Sequence, residues 1–375
     1  MKKVLRMLLA LALVLSMMPV ALADTTIDGT AKRGIKAKDV GLNEVVDGVS
    51  PTTGLDLNDM EKPDGFAGLA ITGRYLPMLV QIDNYDGGVS EMAPWGATYA
   101  DIIYETPLHS SGFTRLTFLF SDLIPDSVGP VRSARVGHAV LREEWDAGFL
   151  FYGMQTYAKA NVKDVFKKYG ASKKGVLFSG LVSSGKAWKQ YYTRRSGIAA
   201  PHNVDANVAA MSELVPASHE APNHAFLFTD ELPTAGEAAE EITINWGAVK
   251  YNSRFTYDAD SNLYYRYMLM KDDEEVPYED RDTQEHLAFS NLIVQHTTVD
   301  WVRSDAPLTN HIGAGNADIF IGGRYIPGYW VRESVSSPTV YFDDKGNEIQ
   351  LTRGKTFIAD FPPEALLTYG MNSAN

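Results

Sequence analysis

Cysteine is absent from all 375 residues, which excludes disulfides, thiol catalysis, thiolate metal centres and a lipid-modified N-terminal cysteine. Long apolar runs are nearly absent too. Met7 to Val20, with Lys2, Lys3 and Arg6 ahead and Ala21-Leu22-Ala23 behind, is short for a bilayer span. The pattern reads as a secretory signal cleaved after Ala23, so the mature chain is expected to be extracytoplasmic, without a transmembrane segment. Positive charge is scarce. Removing residues 1–23 leaves 31 basic against 47 acidic side chains, a formal charge of −16 against −13 for the whole chain. Such a chain repels nucleic acid and anionic lipid overall, so no nucleic-acid partner is expected and any anion must be caught locally.

Several familiar motifs are missing. Neither Gly-x-Ser-x-Gly nor His-Glu-x-x-His occurs. Ser183-Ser184-Gly185-Lys186 fails as a phosphate loop because Ala187 follows the lysine. Asp258, Asp260 and Asn262 open like a calcium loop, but Leu263 and Leu269 stand where glycine and glutamate are required, so a hairpin turn is expected. Gly313-Ala314-Gly315 reads as a bend. Composition names no cofactor.

With 45% hydrophobic residues the chain can build two cores. Residues 24–61 are polar and aperiodic and read as a flexible linker, the alternative being an N-terminal strand that pairs with the core. From Pro77 come short apolar runs, PMLVQIDN, ADIIYE, FTRLTFLF, FLFYGM, VLFSG and AFLFTD. Near-continuous Leu, Ile, Val and Phe suggest a sheet covered on both faces. Helical periodicity appears over 134–147, in TYAKANVKDVFKKYG and over 204–215. Residues 62–235 are therefore expected to form an α/β domain, a mixed or parallel sheet with helices on its faces. Residues 236–375 are rich in aromatic and β-branched runs broken by Asp, Asn and Gly, and predict a β-rich, mainly antiparallel domain. Its Tyr264, Tyr265, Tyr267, Tyr325, Tyr329 and Trp330 would stack sugars where exposed, although alternation places half of each such set in a core.

One stretch resists a purely structural reading. In SVGPVRSAR, residues 127–135, Arg132 and Arg135 bracket Ser133, a candidate N-cap for the helix that follows. A helix N-terminus already carries partial positive charge, so two arginines there call for something negative. Internal candidates are Asp83 and Glu105, on which two strands end. Arg115 opens the next run and faces either edge. The external candidate is a phosphate or carboxylate held by the guanidinium forks. His202 and Asn203 lie in a loop before the third helix, with Asn203 a plausible N-cap. Asp83, Glu105 and His202 are thus the candidate catalytic groups, the two carboxylates as an acid/base pair. Asn84, Arg115, Arg132, Ser133, Arg135 and Asn203 are the candidate ligand-binding residues. A metal shell from Asp83, Glu105 and His202 is the weaker option, because no two of these ligands are locally paired.

The blocks PMLVQIDN, ADIIYE, GFTRLTFLF, GPVRSAR and APHN, followed by NLIVQ, GNADIFIGGRYIPGYW, YFDDKGNEIQL and KTFIADFPPE, resemble the YerB-like family of bacterial envelope proteins over about residues 50–365. The resemblance implies an N-terminal and a C-terminal domain of unknown function, so no catalytic residue carries over. Family members are often lipoproteins anchored through a cysteine; without one, simple secretion is implied. The leading expectation is a secreted cell-envelope protein that recognises an anionic ligand such as a wall glycan, a phosphate or a carboxylate. The alternatives are a hydrolase of envelope glycan or phosphodiester that uses Asp83 and Glu105, and a non-catalytic structural interaction protein.

Overall fold

A computed structural model describes residues 24–31, 43–84, 94–181, 186–248, 251–269 and 274–371. The expected signal peptide lies outside the described residues. The apolar runs assemble into an eleven-stranded mixed sheet. Its strands are β1 (Met78–Asp83), β2 (Ile102–Pro107), β3 (Thr114–Phe120), β4 (Gly148–Phe151), β5 (Leu177–Ser179), β6 (Glu237–Ala238), β7 (Asn291–His296), β8 (Gly313–Ile321), β9 (Arg324–Arg332), β10 (Val340–Asp343) and β11 (Thr356–Phe361). Their order across the sheet is β6-β9-β8-β7-β11-β2-β3-β1-β4-β5, with β10 also paired to β9.

Every residue of β1, β2, β3 and β11 is buried, because both faces of the sheet are covered. On one face Val80, Ile82, Phe118, Phe120 and Phe357 pack with Ile242, Phe255 and Tyr264 of a second, seven-stranded sheet. On the other, Leu79, Leu119, Phe149 and Ile358 pack with Leu141, Trp145 and Phe166 of two helices. The second sheet runs Thr25–Ile27, Leu366–Gly370, Glu241–Asn245, Ser253–Asp258, Leu263–Leu269, Glu275–Pro277, with Ala288–Phe289 on the side, and every pairing in it is antiparallel. The alternation in Leu263–Leu269 turns Tyr264, Arg266 and Met268 inward. Tyr325, Tyr329 and Trp330 are buried as well, while Tyr265 and Tyr267 lie on the outer face.

The expectation of an α/β domain with helices on its faces is overturned. The described residues hold four α-helices, α1 (Leu69–Thr72), α2 (Val136–Trp145), α3 (Val162–Lys168) and α4 (Val208–Ser212), none longer than ten residues. The protein is mostly β. A continuous apolar run reports that a strand is covered on both sides but not by what, and here one cover is another sheet. The helix expected over 204–215 is also divided, since Val204–Ala206 is a strand paired to Tyr192–Arg194 and only α4 is helical.

Strands from both parts of the chain share the large sheet, because β11 lies parallel between β7 and β2. Within the stretch read as a linker, Thr25–Ile27 pairs with Leu367–Tyr369. Ser50, Thr52 and Thr53 are buried, and the Thr52 and Thr53 hydroxyls donate to the Asp101 and Asp122 carboxylates at 3.1 and 2.7 Å.

Candidate functional site: a guanidinium cluster at a strand edge

β1 and β2 are both antiparallel to β3, which lies between them. They therefore run in the same direction, and their last residues reach one edge of the sheet together with the first residues of β3. The register sets Asp83 opposite Arg115, and Arg115 opposite Thr106 on its other side. Directly opposed residues share a face, so Arg115 meets Asp83. Side chains alternate along a strand, which sends Asn84 and Glu105 to the other face.

The segment after Ser127 is laid along the end of β1. The Asp83 N–H donates to the Pro130 carbonyl and the Arg132 N–H to the Gln81 carbonyl, both at 2.8 Å. Gly129 fits because a Cβ there would come within 2.3 Å of the Trp95 ring and 2.5 Å of the Val204 oxygen. The Gly129–Pro130 peptide is cis. This path delivers Arg132 to the Asp83 carboxylate, with Nε at 3.0 Å from Oδ2. His202 reaches the same oxygen through Nδ1 at 2.5 Å, and Arg115 stands 3.7 Å from Oδ1.

α2 then begins, with Arg135 rather than Ser133 at its N-cap. The Ser133 hydroxyl points away and donates to the Tyr152 carbonyl at 3.1 Å. The Ser133 carbonyl is the useful atom: it accepts from Arg115 at 2.7 Å and from Arg135 at 3.4 Å. His138, one turn on, accepts from the Arg135 N–H at Nδ1 (3.1 Å), so its Nε2–H donates to the Thr106 hydroxyl at 2.8 Å. Burial and the neighbouring Arg115 and Arg135 hold His138 far below the usual histidine pKa, hence neutral.

Two guanidiniums, those of Arg115 and Arg132, thus flank the Asp83 carboxylate, and Arg135 joins Arg115 on the Ser133 carbonyl. Burial pushes Asp83 up, but the His202 hydrogen bond and the Arg115 and Arg132 charges outweigh it and hold the carboxyl below its ordinary value. Arg115 is pushed down to about 9, first by burial and then by repulsion from Arg135. Arg135 is lowered by burial, partly offset by the Asp305 carboxylate, with Arg132 adding repulsion.

Glu105 belongs to a different network. It is fully buried with Arg266, Nη2 to Oε2 at 3.0 Å, and accepts from Thr114 at 2.6 Å and Ser253 at 3.3 Å. Burial raises its pKa despite the Arg266 charge. Asn84 joins it, donating to Glu105 at 3.1 Å and accepting from the Tyr278 hydroxyl at 2.9 Å. Asn203 staples its own loop, donating to the Arg195 and Ile198 carbonyls, and the N-cap of α4 is Asn207. The edge therefore gathers Asp83, Arg115, Arg132, Ser133, Arg135 and His202, and leaves Glu105, Asn84 and Asn203 elsewhere. Asp83, Glu105 and His202 do not converge as a metal shell, and the described residues hold no group of three or more His, Asp or Glu suited to a metal ion. His138 and Thr106 were not anticipated. The sole sequence signal for His138 was its place three residues beyond the true cap, the reciprocal position of a capping box.

The geometry defines a class, a two-sheet β protein with a cationic cluster at one strand edge. Two family models match the chain: "Protein of unknown function (DUF3048) N-terminal domain" over residues 66–221 and the corresponding C-terminal domain over 242–358. The chain belongs to this two-domain family. It is 23% identical over 293 residues to the Bacillus subtilis (strain 168) protein named "Putative lipoprotein YerB", covering 76% of this chain and 81% of that one. The crystal structure of the YerB protein from Bacillus subtilis has the same fold, with a TM-score of 0.63 at 21% identity, over 84% of this chain and 96% of the other.

Proposed function

We propose that this is an extracytoplasmic envelope protein that binds an anionic group at Arg115, Arg132 and Arg135. One observation carries the reading: three mutually repelling guanidiniums gather at one strand edge, with Asp83 against Arg115 and Arg132 and Asp305 offsetting Arg135, in a protein of net charge −13. The relative named as a lipoprotein and the N-terminal signal pattern support the location. Among the described residues no helix is long and apolar enough to cross a membrane.

The test is thermal unfolding of the mature protein and of Arg132→Ala with and without phosphate, uronic acids and wall fragments. A ligand held at this site raises the wild-type midpoint, corresponding to about 2.7 kcal/mol at a hundredfold excess over Kd, and Arg132→Ala loses the response. No response to any anion, with the variant alone losing about 3–5 kcal/mol, makes Arg132 only the internal partner of Asp83. That outcome favours the structural interaction protein.

A hydrolase remains the second reading, on a different pair from the two carboxylates. Asp83 grips His202 at 2.5 Å, and a carboxylate-oriented imidazole is a general base. Turnover of a glycan or phosphodiester that His202→Ala abolishes would establish it; full activity in that variant would dismiss it.

A further inference from the structure

The cationic edge does not end at Arg132. From there the strands follow in the order β3, β1, β4, β5, and neighbouring strands lie about 4.8 Å apart, so the ends of these four span on the order of 15 Å. The Tyr152 N–H, just past β4, donates to the Arg132 carbonyl at 2.9 Å. The exposed Arg194 guanidinium lies 5.3 Å from the Tyr152 ring and is steadied by Asn203 Oδ1 at 2.6 Å. At the end of β5, Trp188 Nε1 donates to the Ser179 carbonyl, and the exposed Lys186 ammonium lies 5.1 Å from the Trp188 ring. Arg194 and Lys186 have no carboxylate partner among the described residues, whereas Arg195 is paired with Asp282 at 2.5 Å. In an otherwise acidic protein, Arg132, Arg194 and Lys186 are therefore set along one edge of the sheet.

We propose that the arginine cluster is the first subsite of a groove for a linear phosphate-bearing polymer, with Arg194 and Lys186 holding successive anionic repeats. The inference rests on the anion reading above and extends it from a single group to a chain. A strip matches a chain with regular charge better than a compact ion, and linked contacts add affinity through effective concentration. Phosphate suits the first subsite because it carries more acceptor oxygens and more negative charge than a carboxylate, and guanidinium groups recognise it bidentately.

The experiment is calorimetric titration of the mature protein with orthophosphate, tripolyphosphate, long-chain polyphosphate and polyglutamate at several salt concentrations. Long-chain polyphosphate is expected to bind at least about tenfold more tightly than orthophosphate, with a steeper loss in salt. The double variant Lys186→Ala/Arg194→Ala, both exposed positions, removes the gain and keeps orthophosphate binding, its fold checked by near-ultraviolet circular dichroism. Orthophosphate binding with no gain from chain length overturns the groove and leaves the single-anion site standing. Binding of neither removes the anion site itself. A gain that survives the double variant also overturns the groove, and polyglutamate binding as tightly as polyphosphate overturns the phosphate assignment.

Discussion

Asp83 sits beneath more positive charge than it can neutralise, and its protonation follows from that. Its folded pKa is lowered from the ordinary carboxylate value, so its ionised form stabilises the fold. That contribution is fully present above the unfolded value and is lost as pH falls through the lowered one. Wild-type protein should therefore lose stability on acidification below about pH 4, and Asp83→Asn should lack that part of the loss. At neutral pH the variant leaves buried Arg115 without its counter-charge, an expected cost of about 3 kcal/mol. Urea unfolding at both pH values decides this; equal stability of the two proteins at neutral pH would show that the guanidiniums are balanced from elsewhere. The Glu105–Arg266 pair makes a parallel case in the interior, where both side chains are fully buried and Arg266 lies 4.2 Å from the Tyr278 ring. Glu105→Gln alone should cost about 3–5 kcal/mol, and Glu105→Leu with Arg266→Met should recover most of it. If the double change is as harmful as the single one, the pair contributes more than charge balance.

Legibility differs among the elements. Strands β1 to β4 could be read from the sequence because buried strands need continuous apolar residues, and the helix expected over 134–147 forms at Val136–Trp145. The Arg132–Asp83 contact was within reach as well, since two strands ending on carboxylates and a helix starting among arginines imply opposite charges at one edge. Parity was harder to see. Asp83 ends β1 and Glu105 lies two residues before the end of β2; the strands run in the same direction, yet pairing through β3 sets the two carboxylates on opposite faces, and register depends on a partner that no local pattern names. The cap was misplaced for a related reason: Ser133 has a good capping side chain, but the Tyr152 carbonyl from another element claims its hydroxyl. The same segment shows how tightly SVGPVRSAR is held. Gly129→Ala drives a methyl group into Trp95 and the Val204 carbonyl, and should cost about 1–3 kcal/mol as an overpacked site. Because Pro130 and Arg132 hang on that position through the end of β1, the anion response should weaken with it. A Gly129→Ala protein with unchanged melting would mean that Trp95 moves aside freely.

For the whole molecule, the two family domains are consecutive in sequence but continuous in space. The boundary between residues 221 and 242 crosses no gap in the large sheet, because Thr356–Ala359 of β11 pairs in parallel with Ile102–Glu105 of β2. The second sheet adds a further tie, with Arg266 from the late part of the chain meeting Glu105 from the early part. Cutting the chain between residues 235 and 236 would leave β2 on one piece and β11 on the other, each a central strand turned into an edge. Both are buried along their whole length, and an exposed edge strand rich in hydrophobic residues is prone to aggregate. Expressed alone, each piece should therefore lack a near-ultraviolet signal or precipitate; expressed together, they should purify as an equimolar complex with near wild-type melting. Two soluble, independently melting pieces would mean that the shared sheet is only a contact between finished domains. The arginine cluster would distinguish the cases further. All its members precede residue 235, but the ends of β1 and β2 meet the late part of the chain through Asn84, Glu105 and Tyr278. The anion response should accordingly be absent from the early piece and return when the late piece closes the sheet.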